Sequence, residues 1–439
     1  MLLERIVHAG STCIRRLAEG ARGMEVRFHR FLANPKVTVE HLMAGWSEAT
    51  VAAATGRHVL AIQDTSEINF RTREGRDRGL GAIGKGVGRG VLLHPMIAVD
   101  AESKECLGLV GGHIWTRPGK AVGPKKNNAR IPLSEKESRH WVETAQTAKE
   151  TLREAARVTM IADREADIYQ LWASVPAPNV DVLGRLFRVR QLVGGGTTHT
   201  IAGTWPLRDT RKIIVREQEE RDEREATLEL RFGEIPIQRP KTAIEPGLPE
   251  QITLTLIELS EVGAPTGAEP IVWRLLTSHR PETAVSAWQI VDWYRGRWII
   301  EQFFRILKKQ GLQIENSQIE TADRLLKLVA IAAQAAVLTL QLVQARDGQS
   351  YVPAALIFNN AELATLDGLG RSKYAPRTEL QKNPHPNMSL AWAAWIIARL
   401  GGWDGYPSSR PPGPVTFKTG IDQLKALASG WALRDVCMP

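Results

Sequence analysis

The first 56 residues carry apolar side chains at helical spacing, interrupted by a turn at Asn34-Pro35. Thr38 stands where an N-cap belongs, and the pattern predicts a helix over Val39 to Thr55 that Gly56 ends. The period then changes. His58 to Gln63 is a short apolar run closing on Asp64, the mark of a buried strand with a carboxylate at its mouth. Val91 to Val99 and Cys106 to Trp115 predict two more strands, joined by a turn around Asp100 to Lys104. Ser134, with Glu137 three residues on, forms a capping box, so a helix is expected from there to about Arg157. Val158 to Ala162 predicts the next buried strand, ending at Asp163. A short helix over Glu165 to Trp172 and a strand over Val182 to Val189 follow.

Residues 191–270 differ in character. Gly194-Gly195-Gly196 opens them, a charge-dense stretch runs from Arg216 to Glu225, and alternation over Thr227 to Phe232 and Ile252 to Leu259 predicts antiparallel strands. Proline-rich joints at Pro246 to Pro249 and Pro265 to Pro270 separate these segments, which read as a β-rich insertion. Ile271 to Thr277 predicts a returning strand. From Glu320 the chain is helical and alanine-rich, with a long apolar run over Leu325 to Leu342, and a break at Tyr406 to Pro414 precedes a last helix over Gly420 to Leu433. No internal repeat is visible. The expected organisation is a helical region at 1–56, an α/β core in two parts at 57–190 and 271–319, the insertion at 191–270, and a C-terminal helical region at 320–439.

Tyr294 to Lys309 reads as one amphipathic helix, with apolar residues at Trp298, Ile299, Phe303, Ile306 and Leu307. At about 100° per residue, with Tyr294 as zero, Arg297 falls near about −60°, Glu301 about −20°, Arg305 about +20° and Lys308 about −40°. A phenol, three cations and a carboxylate therefore share one face. By itself such a face also describes a solvated salt-bridge stripe.

A formal net charge of +9 favours a polyanionic partner without naming it. Cys13, Cys106 and Cys437 are far apart and form no CxxC pair, which argues against a disulfide scaffold or a zinc site and fits a reducing cytoplasm. No run of eighteen apolar residues is present, so no membrane span is expected. The stretch GLGAIGKGVGRG lacks the Gly-Lys-Ser/Thr ending of a phosphate-binding loop, and it reads better as a flexible basic loop. Asp64 and Asp163 each admit two readings: a cap for the turn or helix that follows, or a ligand at a strand mouth. Glu165 and Asp167 read as an exposed helix face. The ten histidines show no ligand spacing.

The spacing Tyr294, Arg297, Glu301, Lys308 matches the Y-(2)-R-(3)-E-(6)-K signature of the DDE transposases of the bacterial insertion-sequence-four family. Ala61 to Ser66 (AIQDTS) and Ile161 to Ile168 (IADREADI) resemble that family in the same order. HRFLANPKVT, EKES before Trp141, SLAWAAWIIARLGGW and TGIDQLKALASGWAL are similar as well. The resemblance implies an α/β fold with a ribonuclease-H-like core, a β-rich insertion and flanking helical regions. It implies Asp64, Asp163 and Glu301 as catalytic metal ligands for Mg²⁺, with Mn²⁺ as a substitute.

It further implies that Tyr294, Arg297 and Lys308 grip DNA phosphates, with Arg305 where the family has another lysine and Arg185 near the site. Trp273 and Trp298 match tryptophans that hold a flipped base, although both would also suit a core. The implied partners are double-stranded DNA, as transposon ends and target, and a second copy of the chain, with no membrane. The implied location is the bacterial cytoplasm, on the nucleoid when bound to DNA. The expected activity is cut-and-paste transposition: nicking, hairpin formation, reopening and strand transfer. Family members carry a few dozen more residues before HRFLANPKVT, which implies a shortened N-terminal DNA-binding region. The rival expectation is a non-catalytic chain that dimerises with a full-length transposase and inhibits it.

Overall fold

The computed structural model describes the chain apart from residues 71–77, 85–87, 118–130, 216–222, 310, 346–352, 373, 375–377, 407, 410–411 and 438–439. In chain order the helices are α1 (Leu2–Ala9), α2 (Ile14–Leu17), α3 (Arg22–Ala33), α4 (Val39–Ala44), α5 (Glu48–Ala54), α6 (Arg139–Thr151), α7 (Tyr169–Ser174), α8 (Ala284–Arg295), α9 (Ile299–Lys308), α10 (Ala322–Ala345), α11 (Asn360–Arg371), α12 (Leu390–Leu400) and α13 (Pro414–Cys437). The strands are β1 (His58–Gln63), β2 (Ser66–Asn69), β3 (Gly81–Ile83), β4 (Gly88–Asp100), β5 (Cys106–Trp115), β6 (Arg157–Ala162), β7 (Val180–Arg185), β8 (Asp209–Val215), β9 (Arg224–Gln238), β10 (Gln251–Val262) and β11 (Val272–Thr277). Parts of the glycine-rich stretch, the basic segment after Arg117 and the charge-dense segment at 216 lie outside the described residues. The fold is mixed α/β and divides into two compact units.

The strand-rich unit comprises Gly56–Asp64 and Val122–Trp298. Its strands run β1-β6-β7-β11-β10-β9-β8. The first three are parallel to one another and the rest pair antiparallel. The β1 and β6 sequences, HVLAIQ and RVTMIA, are buried after their first residue, as strands covered on both faces should be. β9 alternates buried and half-exposed positions, as expected of a strand with one wet face. The strands foreseen over Thr227 to Phe232 and Ile252 to Leu259 are present within β9 and β10, β8 joins them unforeseen, and through β11 they prolong the sheet.

The helix-rich unit comprises Met1–Thr55, Thr65–Ala121 and Ile299–Pro439. Here β4 pairs with β2, β3 and β5, and α10 packs against α1, α9, α12 and β5. α10 is long and apolar enough to cross a membrane by length and composition, but 72% of its apolar window is buried within the protein, where it forms the core of this unit. The glycines at the α12–α13 contact have no room for a side chain. A Cβ on Gly401 would lie 1.9 Å from the Thr416 carbonyl oxygen, and one on Gly420 would lie 2.0 Å from that of Ile397.

Several expected elements differ: the short helix foreseen over Glu165 to Trp172 is a 3₁₀ turn at Arg164–Ala166 followed by α7, and four others differ for a local reason. The helix foreseen over Val39 to Thr55 breaks at Gly45 to Ser47, where Trp46 turns inward and donates from Nε1 to the Ala330 carbonyl at 3.2 Å. The helix foreseen from Ser134 begins at Arg139, after a 3₁₀ turn at Leu133–Glu135. That turn follows Pro132, and its Leu133 N–H is taken by Glu245 at 2.7 Å. The strand foreseen to Val189 stops at Arg185, because the Phe187 and Arg188 N–H groups donate to Asp167 instead of to a ladder. The last helix starts at Pro414, a residue that suits a helix's first turn.

Candidate active site at the strand ends

β1 and β6 run parallel with Ile62 beside Ile161, and β6 and β7 run parallel with Ile161 beside Leu183. Two residues further along each strand stand Asp64, Asp163 and Arg185. Neighbouring strands lie about 4.8 Å apart, so the topology sets two carboxylates and a guanidinium in a row along one edge of the sheet. Asp64 and Asp163 are about a hundred positions apart in sequence, and only the strand pairing unites them.

Asp163 accepts the Glu165 N–H at 2.8 Å and so caps the 3₁₀ turn Arg164–Ala166. The capping reading of this residue is therefore correct, and it leaves the ligand reading standing, since a carboxylate offers about four lone-pair sites. After Asp64 the chain enters strand β2, not a helix. The Asp64 carboxylate accepts from Arg297 Nη1 at 2.9 Å, with both side chains largely buried.

Arg297 reaches Asp64 because the expected helix Tyr294 to Lys309 is not continuous. α8 ends at Arg295, Gly296–Trp298 form a 3₁₀ turn, and α9 starts at Ile299. A 3₁₀ turn advances about 120° per residue, so the single face drawn at constant helical spacing does not survive the joint. Tyr294 lies buried in the last turn of α8, with its ring edge-on to Trp273 at 5.9 Å. Burial pushes the Tyr294 phenol above its ordinary pKa, while Arg297 and Arg185 pull it down and Asp163 pushes it up. Arg185 lies over Trp273 at 5.8 Å and donates to the Val272 carbonyl at 3.2 Å. Burial lowers its pKa, as does the neighbouring Arg164. Trp273 thus makes an edge contact with a phenol and a cation–π contact with a guanidinium, and it is only half-buried. Trp298, for which both a base-holding and a core reading were open, is 55% exposed.

Glu301, Arg305 and Lys308 belong to α9 in the helix-rich unit. Glu301 is half-buried and Arg305 is exposed. Lys308 donates to Ser66 Oγ at 2.6 Å and to the Glu67 carbonyl, fastening α9 to β2. Burial lowers its pKa, with Glu315 and Glu67 opposing.

One residue of this region was misread from the sequence. Asp167, taken for part of an exposed face, is 4% exposed. It accepts from the N–H groups of Phe187 at 3.1 Å and Arg188 at 2.8 Å and from Arg190 Nε at 2.9 Å. Arg190 also donates to the Asp167 carbonyl at 2.8 Å. The segment after Asp163 is thereby tied to the segment after Arg185. Nothing local in the sequence announces this, since the partner arginine lies far along the chain.

Residues 131–338 match the family model described as the transposase DDE domain. Over these residues the chain is similar to a transposase DDE domain. The matched residues include Asp163, Arg185, Trp273, Tyr294, Arg297, Glu301 and Lys308, and Asp64 precedes them. A DDE domain is a nuclease and strand-transfer domain, and DDE transposases use divalent metal ions. Among solved structures, the piggyBac transposase synaptic complex with hairpin DNA is similar at 8% identity and a TM-score of 0.33, over 67% of this chain and 48% of that one. The chain spans about half the length of that protein.

Proposed function

We propose that this protein is a DNA transposase that cuts at the ends of a mobile element and joins them to a target by phosphoryl transfer. The observation that carries the reading is the placement of Asp64 and Asp163 at the ends of adjacent parallel strands, in a chain similar to a DDE domain over residues 131–338. Three parallel strands with an antiparallel extension agree with a ribonuclease-H-like core.

Asp64 and Asp163 are the hard oxygen donors that would hold a divalent cation, with Mg²⁺ as the expected ion, and the signature spacing alone supports Glu301 as the third carboxylate. When bound, such ions activate a water or 3′-hydroxyl and stabilise the leaving oxygen. The chain's own cations handle the phosphates. Arg185 and Arg297 supply charge-assisted donors beside the carboxylates, and the neutral Tyr294 phenol adds one hydroxyl. The exposed face of Trp298 and the half-buried Trp273 suit stacking on an unpaired base. Arg305 on α9 adds an exposed cation. Nicking, hairpin formation, reopening and strand transfer would use this one site in succession, in a dimer that holds two ends.

The test is cleavage and strand transfer on pre-nicked duplexes taken from the DNA flanking the gene, with Mg²⁺ or Mn²⁺, comparing the natural chain with Glu301→Ala. Joined products that vanish in the variant support the proposal. Activity that persists unchanged in Glu301→Ala overturns the assignment of the site.

A further inference from the structure

The strand-rich unit holds a cavity of about 810 Å³ that none of the strand-end residues lines. Four segments wall it: the turn before α6 (Leu133, Lys136, Ser138), residues 167–170, residues 188–191, and the β9–β10 connection at 238–245. Lys136, Arg188, Arg190, Arg239 and Lys241 face it, against the carboxylates of Asp167 and Glu245.

Both carboxylates are already engaged. Asp167 is buried with Arg190 and the backbone N–H groups described above, and Glu245 accepts from Leu133 N. Arg239 gives one donor to the Leu248 carbonyl at 2.8 Å. Lys136, Arg188 and Lys241 make the wall positive, and two of them, Arg188 and Lys241, are exposed.

The cleft is also braced. Asp167 ties the second wall to the third, Gln238 N donates to the Gln191 carbonyl at 3.0 Å, Leu133 N donates to Glu245, and the Tyr169 hydroxyl donates to the Pro249 carbonyl at 2.9 Å. A cationic cleft fixed by its own hydrogen bonds binds anions without ordering itself first. Its position matters as much. Arg188 lies three residues beyond Arg185, hence within about 11 Å of it along the chain. Asp167 follows Asp163 by four residues.

We infer that this cleft is a second DNA-backbone site, which takes the phosphates of a duplex whose neighbouring phosphate lies at the strand ends. The inference rests on the proposed action on DNA and adds where the strand runs next. No base edge is read there, so the contribution to binding is independent of sequence and sensitive to salt.

The triple variant Lys136→Gln, Arg188→Gln, Lys241→Gln tests it, with binding of a long duplex followed by fluorescence anisotropy across a salt series. Each lost phosphate contact lowers the magnitude of the slope of log K against log salt by about 0.9. The triple variant is expected to lose about 2–3 in slope with its thermal transition unchanged. The single variant Lys241→Gln, on an exposed turn, is expected to lose about 0.9 and serves if the triple variant misfolds. Unchanged slopes in a chain that still binds duplex overturn the cleft and leave the DNA reading intact. A natural chain that binds no duplex overturns both. Weakened binding of inorganic phosphate with duplex binding untouched replaces the inference with a small-anion site.

Discussion

Arg297 Nη1 donates to the Asp64 carboxylate at 2.9 Å, and the two side chains are 17% and 14% exposed. This bond gives the first aspartate of the site a counter-ion from the chain itself. It also sets Arg297 between two tasks, since the same guanidinium is proposed to receive a phosphate.

Removing it separates those tasks. Arg297→Ala deletes a charge-assisted bond of about 1.5–3 kcal/mol and leaves Asp64 beside Asp163 without that cation. The variant should melt below the natural chain in chelator and regain more of the difference on adding Mg²⁺ than the natural chain gains. Melting curves with and without the ion check this. Equal gains in both proteins would show that Arg297 does not act as the counter-ion at this site.

Asp163 holds a cap and is proposed to hold a metal, and two substitutions tell the roles apart. Asn accepts the Glu165 N–H as Asp does but is a poor ligand, whereas Ala loses both. Asp163→Asn should abolish cleavage with little change in stability, and Asp163→Ala should cost a further ~1 kcal/mol through the lost cap. Chemical denaturation and a cleavage assay on both variants provide the check.

Asp167 should behave as a structural hub. Asp167→Ala strands the buried Arg190 guanidinium and frees the N–H groups of Phe187 and Arg188, a loss of about 3–5 kcal/mol. The expected result is a poorly folding or strongly destabilised protein. A soluble variant with the natural melting temperature would contradict the buried network.

Stability should fall on acidification between the ordinary histidine range and pH 4. Burial is the main cause holding His279 down to about 4, with Arg157 and His58 adding to it and Asp181 opposing. His8, in the other unit, is likewise lowered by burial to about 4. Because these imidazoles stay neutral in the fold and protonate in the unfolded chain, the unfolded state binds more protons as pH drops below about 6.5. The effect is fully absent above that pH and amounts to roughly 3 kcal/mol for a shift of this size. Urea titrations between pH 7 and pH 4.5 should show this decline, and His279→Gln should remove its share while His8 keeps the rest.

Gly420→Ala should separate α12 from α13, since its new Cβ would meet the Ile397 carbonyl oxygen at 2.0 Å. A cost of about 1–3 kcal/mol or more is expected. Gly430→Ala on the same helix is the control: nothing lies within 4 Å of its Cβ. There the change should stabilise by up to about 1 kcal/mol. Thermal melts of the two variants decide it.

Much of this arrangement is readable from residue order, and the exceptions have physical causes. β1 and β5 have the expected bounds, and in β1 a continuous apolar run leaves a strand little choice. The signature segment is different: its amphipathic pattern is real over Ile299 to Lys308, but periodicity carries no sign of the 3₁₀ joint at Gly296 that lets Arg297 turn to Asp64. Lys308 and Asp167 could be noticed as charged residues. That one fastens a helix to a strand and the other anchors a buried arginine depends on partners remote in sequence.

The pairing of β1 with β6 has a temporal consequence. His58 already reaches Thr159 across 101 positions, so the strand bearing Asp64 waits for a long stretch of chain before its partner exists. Contacts of that range form late and slowly compared with local ones. A nascent or truncated product ending before Arg157 has one aspartate and no neighbour for it. The proposed site therefore cannot begin to assemble until synthesis has passed both strands, so its two aspartates meet late in the life of the growing chain.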